Sequence, residues 1–214
     1  MNIHWKSFFA GLCSLWLVGC GPTAKDDTIR IAVIPKGTTH EFWQSIHAGA
    51  RKAEKELTAQ GKSVEIIWKG PLKEDDRDQQ MGLVESFTVK GVDGIVLAPL
   101  DAKALVRPVE SAQNSGIPVV IIDSGLETTN YVSFVATDNF KGGEMAGNYM
   151  AQQLENKGKV ILLRYAVGSA STENRENGFL KALAKYPDIE LISSDLSAGP
   201  TRETAYQTSQ NWLN

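Results

Sequence analysis

From Thr28 onward the chain alternates between short β-branched runs and longer stretches of helical period, and few folds accept that alternation. "TIRIAVIP" (28–35) is short, apolar and stopped by Pro, which reads as a buried strand. Residues 41–60 read as a helix, because Phe42, Ile46, Ala50, Ala53 and Leu57 recur at spacings of three and four and Gly61 stops the run. Strands follow at 63–70, 93–99, 117–123 and 130–138, with helices at 75–90 and 101–115 between them. Such interleaving predicts an α/β fold with a parallel sheet covered on both faces. Right-handed crossovers then put every strand's C-terminal end on one edge, outside which ligands bind in such sheets. Pro35-Lys36, Pro99-Leu100 and Asp123-Ser124 all fall on that edge.

A second run begins at Asp138. Residues 138–158 read as a helix capped by Asp138 or Asn139, followed by a strand at 159–164, a helix at 172–185, a strand at 188–195 and a helix at 201–214. Two strands make a poor sheet. The expectation is therefore a first lobe over 28–136 and a second lobe over 137–214 that is only partly built.

The opening residues are of another kind. "MNIHWKSFFAGLCSLWLVGC" carries one cation, Lys6, no acid, and an apolar stretch from Phe8 to Val18. That stretch is too short for a membrane span but suits an export leader. The ending Leu17-Val18-Gly19-Cys20 resembles the bacterial lipobox, which implies a leader over 1–19, lipid attachment at Cys20 and a polar tether over 20–27. Cys13 would leave with the leader, so no disulfide is expected within the chain. The net charge of −3 is spread without a basic run, which argues against a nucleic-acid partner.

Candidate functional residues cluster on the predicted edge. Phe42 lies on the stripe expected to face the sheet, whereas Trp43, about 100° round the helix, is expected to project into the crevice. Aromatic faces there suit the apolar C–H surfaces of sugars, although both rings could equally serve as core. His40 reads as a helix-end residue or a cleft hydrogen-bonder; no metal is expected, since no second ligand stands at the right spacing. Asp123, ending the fourth strand, is placed to accept two hydroxyl bonds or to form an Asx-turn. Asp101 reads as the cap of the helix at 101–115. Opposite, "GSASTENRENGF" (168–179) opens a helix whose first turn offers Ser169, Ser171, Thr172, Glu173 and Arg175 to a polar ligand. The glycines of "KGGEMAG" (141–147) lie inside a helical pattern, which argues against a phosphate loop. No nucleophile, base and oxyanion hole assemble, so no enzyme is expected.

Several segments resemble the bacterial periplasmic sugar-binding proteins of the ribose-binding type, which share a two-lobe fold with LacI-type ligand domains. They are "IRIAVIPKGTTHEFWQSIHAGARKA", "GVDGIVLAPLDAKAL", "SGIPVVIIDSG", "VSFVATDNFKGGEMAGNYMA" and "STENRENGFLKAL". The resemblance implies a solute-binding subunit of an ABC importer, a sugar as ligand, a membrane permease as partner and no cofactor. It implies that Phe42 and Trp43 sandwich the sugar ring, that His40 and Asp123 hold hydroxyls, and that Ser124, Asp138, Glu173 and Arg175 belong to the ligand set. Ser124 stands where ribose binders usually carry Arg, and Glu173 where they place another, so the sugar expected is not ribose itself. Members of the family continue through further strands and recross to the first lobe. The resemblance therefore implies an incomplete chain that binds sugar weakly or not at all by itself.

Overall fold

The computed structural model describes residues 27–213; the leader and Cys20 lie outside the described residues. Five parallel strands form one sheet in the order β2-β1-β3-β4-β5: β1 (Ile29–Ile34), β2 (Val64–Trp68), β3 (Gly94–Leu97), β4 (Val119–Ile122) and β5 (Ser133–Val135). Helices α1 (Glu41–Ala59), α2 (Arg77–Lys90) and α3 (Val106–Asn114) connect them. The core of this lobe is continuous, with Ile34, Ile95, Leu97, Val119 and Ile121 of the strands packed against Val84, Phe87, Leu105 and Val109. Buried Gln80 ties the strand ends together: its amide donates to the carbonyls of Pro35 and Ala98, and its oxygen accepts from Leu100 N. The C-terminal edge where the site lies is thus held at a fixed shape.

Three local expectations need correction. The helix predicted over 101–115 begins only at Val106, with Pro108 in its first turn, where a missing N–H costs nothing. Asp101 caps the turn before it instead, accepting from Lys103 N and Ala104 N. The fifth strand pairs over three residues only. In α1 the first position of the expected stripe is displaced: Trp43 is buried, at 2% exposure, and Phe42 is 45% exposed, while Ile46, Ala50 and Leu57 of the stripe are half-buried. The cause is that α1 flanks β2, an edge strand. Arg51 donates to Ile66 O and Glu54 accepts from Ile66 N, so the helix turns polar groups toward an unpaired edge.

The second lobe holds α4 (Asn139–Gln153), β6 (Gly158–Ile161), α5 (Ala170–Leu183), β7 (Ile189–Ser193) and α6 (Arg202–Leu213), with β6 and β7 parallel. Its buried hydrophobic cluster is small: Ala151, Val160, Leu183 and Ile189. Packing of α4 on α5 dominates it. Gly143, Gly147 and Gly178 line that contact, where added Cβ atoms would meet Arg175 O, Phe179 O and Phe140 O. The glycines of "KGGEMAG" therefore serve close helix packing.

Candidate functional site

The strand-end edge of the first lobe faces the N-terminal end of α5, and a cavity of about 290 Å³ lies between them. Its floor is Lys36, the residue after Pro35 at the end of β1, which is 3% exposed. The ammonium donates to Ser169 Oγ at 3.1 Å and Ser171 Oγ at 3.2 Å, both across the cleft, and pairs with Asp123 Oδ2 at 3.5 Å. Burial lowers the Lys36 pKa from the usual lysine range, and the Asp123 and Glu74 carboxylates oppose that shift. Asp123 itself sits at φ 62°, in the left-handed region that Asp tolerates better than most residues.

At the start of α1, His40 caps the helix, its Nδ1 accepting from Phe42 N at 3.1 Å. This fixes the chain direction that delivers Phe42 and Trp43 to the cavity. The two rings meet edge to face, with centroids 4.9 Å apart and planes at 78°. Trp43 Nε1 donates to Glu74 Oε1 at 2.9 Å. The other oxygen of Glu74 accepts from Tyr165 OH of the second lobe at 2.7 Å. Burial and this carboxylate push the Tyr165 phenol well above its ordinary range, so it stays a donor.

The opposite wall comes from α5. Ser171, Thr172 and Arg175 face the cavity, and Arg175 has no hydrogen-bond or ion-pair partner among the described residues. Ser169 is the helix N-cap, yet its hydroxyl makes no capping bond and accepts from Lys36 instead.

The structure brings His40, Phe42, Trp43, Asp123 and Arg175 together around one cavity. It places three other candidates elsewhere. Ser124 is fully buried and accepts from Ser171 N at 3.0 Å, so it joins the lobes behind the cavity wall. Asp138 caps α4 by accepting from Lys141 N. Glu173 reaches back to Gly168 N at 2.8 Å, satisfying an amide before the helix. Sequence reasoning gave no role to Lys36, Glu74, Tyr165 or Pro200, all of which line the cavity. For Lys36 a signal existed: a charge directly after a buried strand, on the ligand edge. For Glu74 there was none, because "PLKEDDRDQQ" offers several acids and no period. Among the described residues no group of His, Cys, Asp and Glu could hold a metal ion.

A family model described as the periplasmic binding protein domain matches residues 31–214. The chain belongs to the periplasmic binding protein family. Within it, the chain is 31% identical over 207 residues to the xylitol-binding protein of Mycolicibacterium smegmatis, covering 95% of this chain and 57% of that one. A carbohydrate transporter solute binding protein from Agrobacterium radiobacter, solved with D-arabinose, superposes with a TM-score of 0.81 at 31% identity, covering 87% of this chain and 63% of that one. The fructose binding periplasmic domain of a hybrid two component system gives 0.77 at 29% identity, over 86% of this chain and 59% of that one. The chain thus spans somewhat more than half the length of these proteins.

As a periplasmic binding protein, this chain has a cavity with distinct chemical walls. One side offers an aromatic face, the floor offers a carboxylate beside an ammonium, and the far side offers hydroxyls and a guanidinium. Ionised donors and acceptors form the stronger hydrogen bonds to neutral hydroxyls. The volume lies at the small end of ligand-pocket sizes. Such a set suits a small polyhydroxylated molecule with one apolar face.

Proposed function

We propose that this chain captures a monosaccharide or related polyol between its two lobes, as the substrate-binding lipoprotein of an ABC-type sugar importer. The observation that carries the reading is the cavity itself, which sets Phe42 and Trp43 against Asp123, Lys36 and Arg175. Closing the lobes on a ligand would present a changed surface to a membrane permease. The reading assigns no reaction and no cofactor to the chain. Xylitol and D-arabinose, the ligands named for two similar proteins, set the size class. Calorimetry with a panel of pentoses, hexoses and polyols is expected to give saturable heat for at least one of them. The affinity expected is weak, in the upper micromolar to millimolar range. No saturable heat from any member would overturn the reading.

The leader and Cys20 support a place on the periplasmic face of a bacterial membrane, held by a lipid anchor. Cys20→Ala is expected to move the protein from the membrane to the soluble fraction of cells, and an unchanged distribution would contradict the anchor. A second reading is a sensor that presents sugar to a chemoreceptor or histidine kinase, favoured by the likeness to the fructose binding domain of a two component system. Cross-linking in cells, followed by identification of a permease or a kinase, separates the two.

A further inference from the structure

Glu74 is the one carboxylate at the cavity that touches both lobes through side-chain hydrogen bonds among the described residues. One oxygen accepts from the Trp43 indole and the other from the Tyr165 hydroxyl, at 2.9 and 2.7 Å. Trp43 and Tyr165 both line the cavity, and they come from different lobes. We propose that Glu74 is a positioning residue of the binding site: it seats the Trp43 ring and ties it to Tyr165 across the cleft, so that it holds the two walls in the closed arrangement.

Two further observations point the same way. A Cβ on Gly37 would lie 2.8 Å from Glu74 Cγ, so the turn after β1 is kept clear of a side chain where Glu74 must pass. Glu74 also lines an adjoining chamber of about 360 Å³, together with Lys73 and Arg202. Glu74, His40 and Pro200 are the residues shared by both spaces. Each of its two bonds is to a neutral donor from an ionised acceptor, the stronger class of hydrogen bond. A closed arrangement held by its own hydrogen bonds leaves less ordering cost for the ligand to offset.

The proposal rests on the sugar-binding reading for its affinity arm only. The first arm uses the full chain without any ligand. The chain has five tryptophans, so an ¹⁵N-edited spectrum shows up to five indole N–H signals, and loss of one in Trp43→Phe assigns it. Glu74→Ala is expected to shift that signal and speed its hydrogen exchange about tenfold or more. Gly37→Ala is expected to act in the same direction although it removes no hydrogen-bonding group. Glu74→Gln keeps an acceptor for the indole and is expected to leave the signal near its wild-type position.

In the second arm, affinity for whichever monosaccharide the wild type binds is expected to fall about a hundredfold in Glu74→Ala. In Glu74→Gln, which keeps one acceptor oxygen, the fall is expected to be clearly smaller than in Glu74→Ala, and Tyr165→Phe should cost about tenfold with the indole signal retained. An unmoved Trp43 indole with unchanged exchange in both Glu74→Ala and Gly37→Ala overturns the proposal. So does a Glu74→Gln variant as weak as Glu74→Ala. If the wild type binds no sugar while the indole responds as expected, the sugar reading fails and the positioning role of Glu74 stands.

Discussion

Asp123→Asn is expected to weaken sugar binding at least about a hundredfold, since the two charge-assisted bonds to hydroxyls proposed for Asp123 would become weaker neutral ones and each tenfold corresponds to about 1.4 kcal/mol. The substitution isolates the charge. Asn matches Asp in size and tolerates the left-handed φ of 62° that the position requires. It also leaves the Lys36 ammonium, 3% exposed, without the only carboxylate within ion-pair distance among the described residues. Burial already lowers the Lys36 pKa, and removing the opposing charge lowers it further. The variant should therefore also lose thermal stability at neutral pH, as expected for a buried cation deprived of its partner. Calorimetry and thermal unfolding check the two effects. A loss of affinity under about threefold would remove Asp123 from the ligand set.

Gly178→Ala and Gly143→Ala are each expected to destabilise the second lobe by about 4 kcal/mol or more, beyond the usual range for one added methyl group in a packed interior. The reason is the identity of the obstructing atoms. A Cβ at Gly178 runs into the Phe140 carbonyl and one at Gly143 into the Arg175 carbonyl, and backbone cannot turn aside as a side-chain tip can. The lobe has few resources to absorb the strain, because its buried hydrophobic cluster is Ala151, Val160, Leu183 and Ile189. Hydrogen exchange read by mass spectrometry should show lost protection across 139–193 and retained protection across 29–122, since the first lobe has a separate core. Gly142→Ala, where a Cβ meets nothing, is the control and should be neutral or slightly stabilising. Equal behaviour of the three variants would contradict the close-packing account.

Why was the fold legible and the site only half so? Strands such as "TIRIAVIP" and "IPVVIID" and helices ended by glycine carry their period within a few residues, and periodicity does not need a partner to be read. The strand-end edge followed from handedness alone, and His40, Phe42, Trp43 and Asp123, expected on it, line one cavity. In α1 only Phe42 and Trp43 exchange places, because that helix covers a sheet edge, where Arg51 and Glu54 bond the backbone of Ile66. Lys36 and Glu74 were missed because a single charge in a turn has no period; its meaning lies in residues more than ninety positions away, Ser169 and Tyr165. The clustered glycines of α4 were placed in a helix, but their purpose depends on α5. Ser124 and Glu173 show the converse. Both stand beside residues that line the cavity, yet each spends its side chain on a neighbouring backbone amide.

The central claim is that a monosaccharide or polyol occupies the cavity between Phe42, Asp123 and Arg175. A titration followed by ¹H–¹⁵N spectra tests it most directly, because it detects weak binding and locates it. With D-arabinose or xylitol as the added ligand, the account predicts saturable shifts at the Trp43 indole and at the amides of Asp123, Ser171 and Thr172, with small changes at α2 and α3. Saturable shifts confined to the apolar groove beside Leu162, Leu163 and Phe179, or none at any residue across the sugar panel, would contradict it.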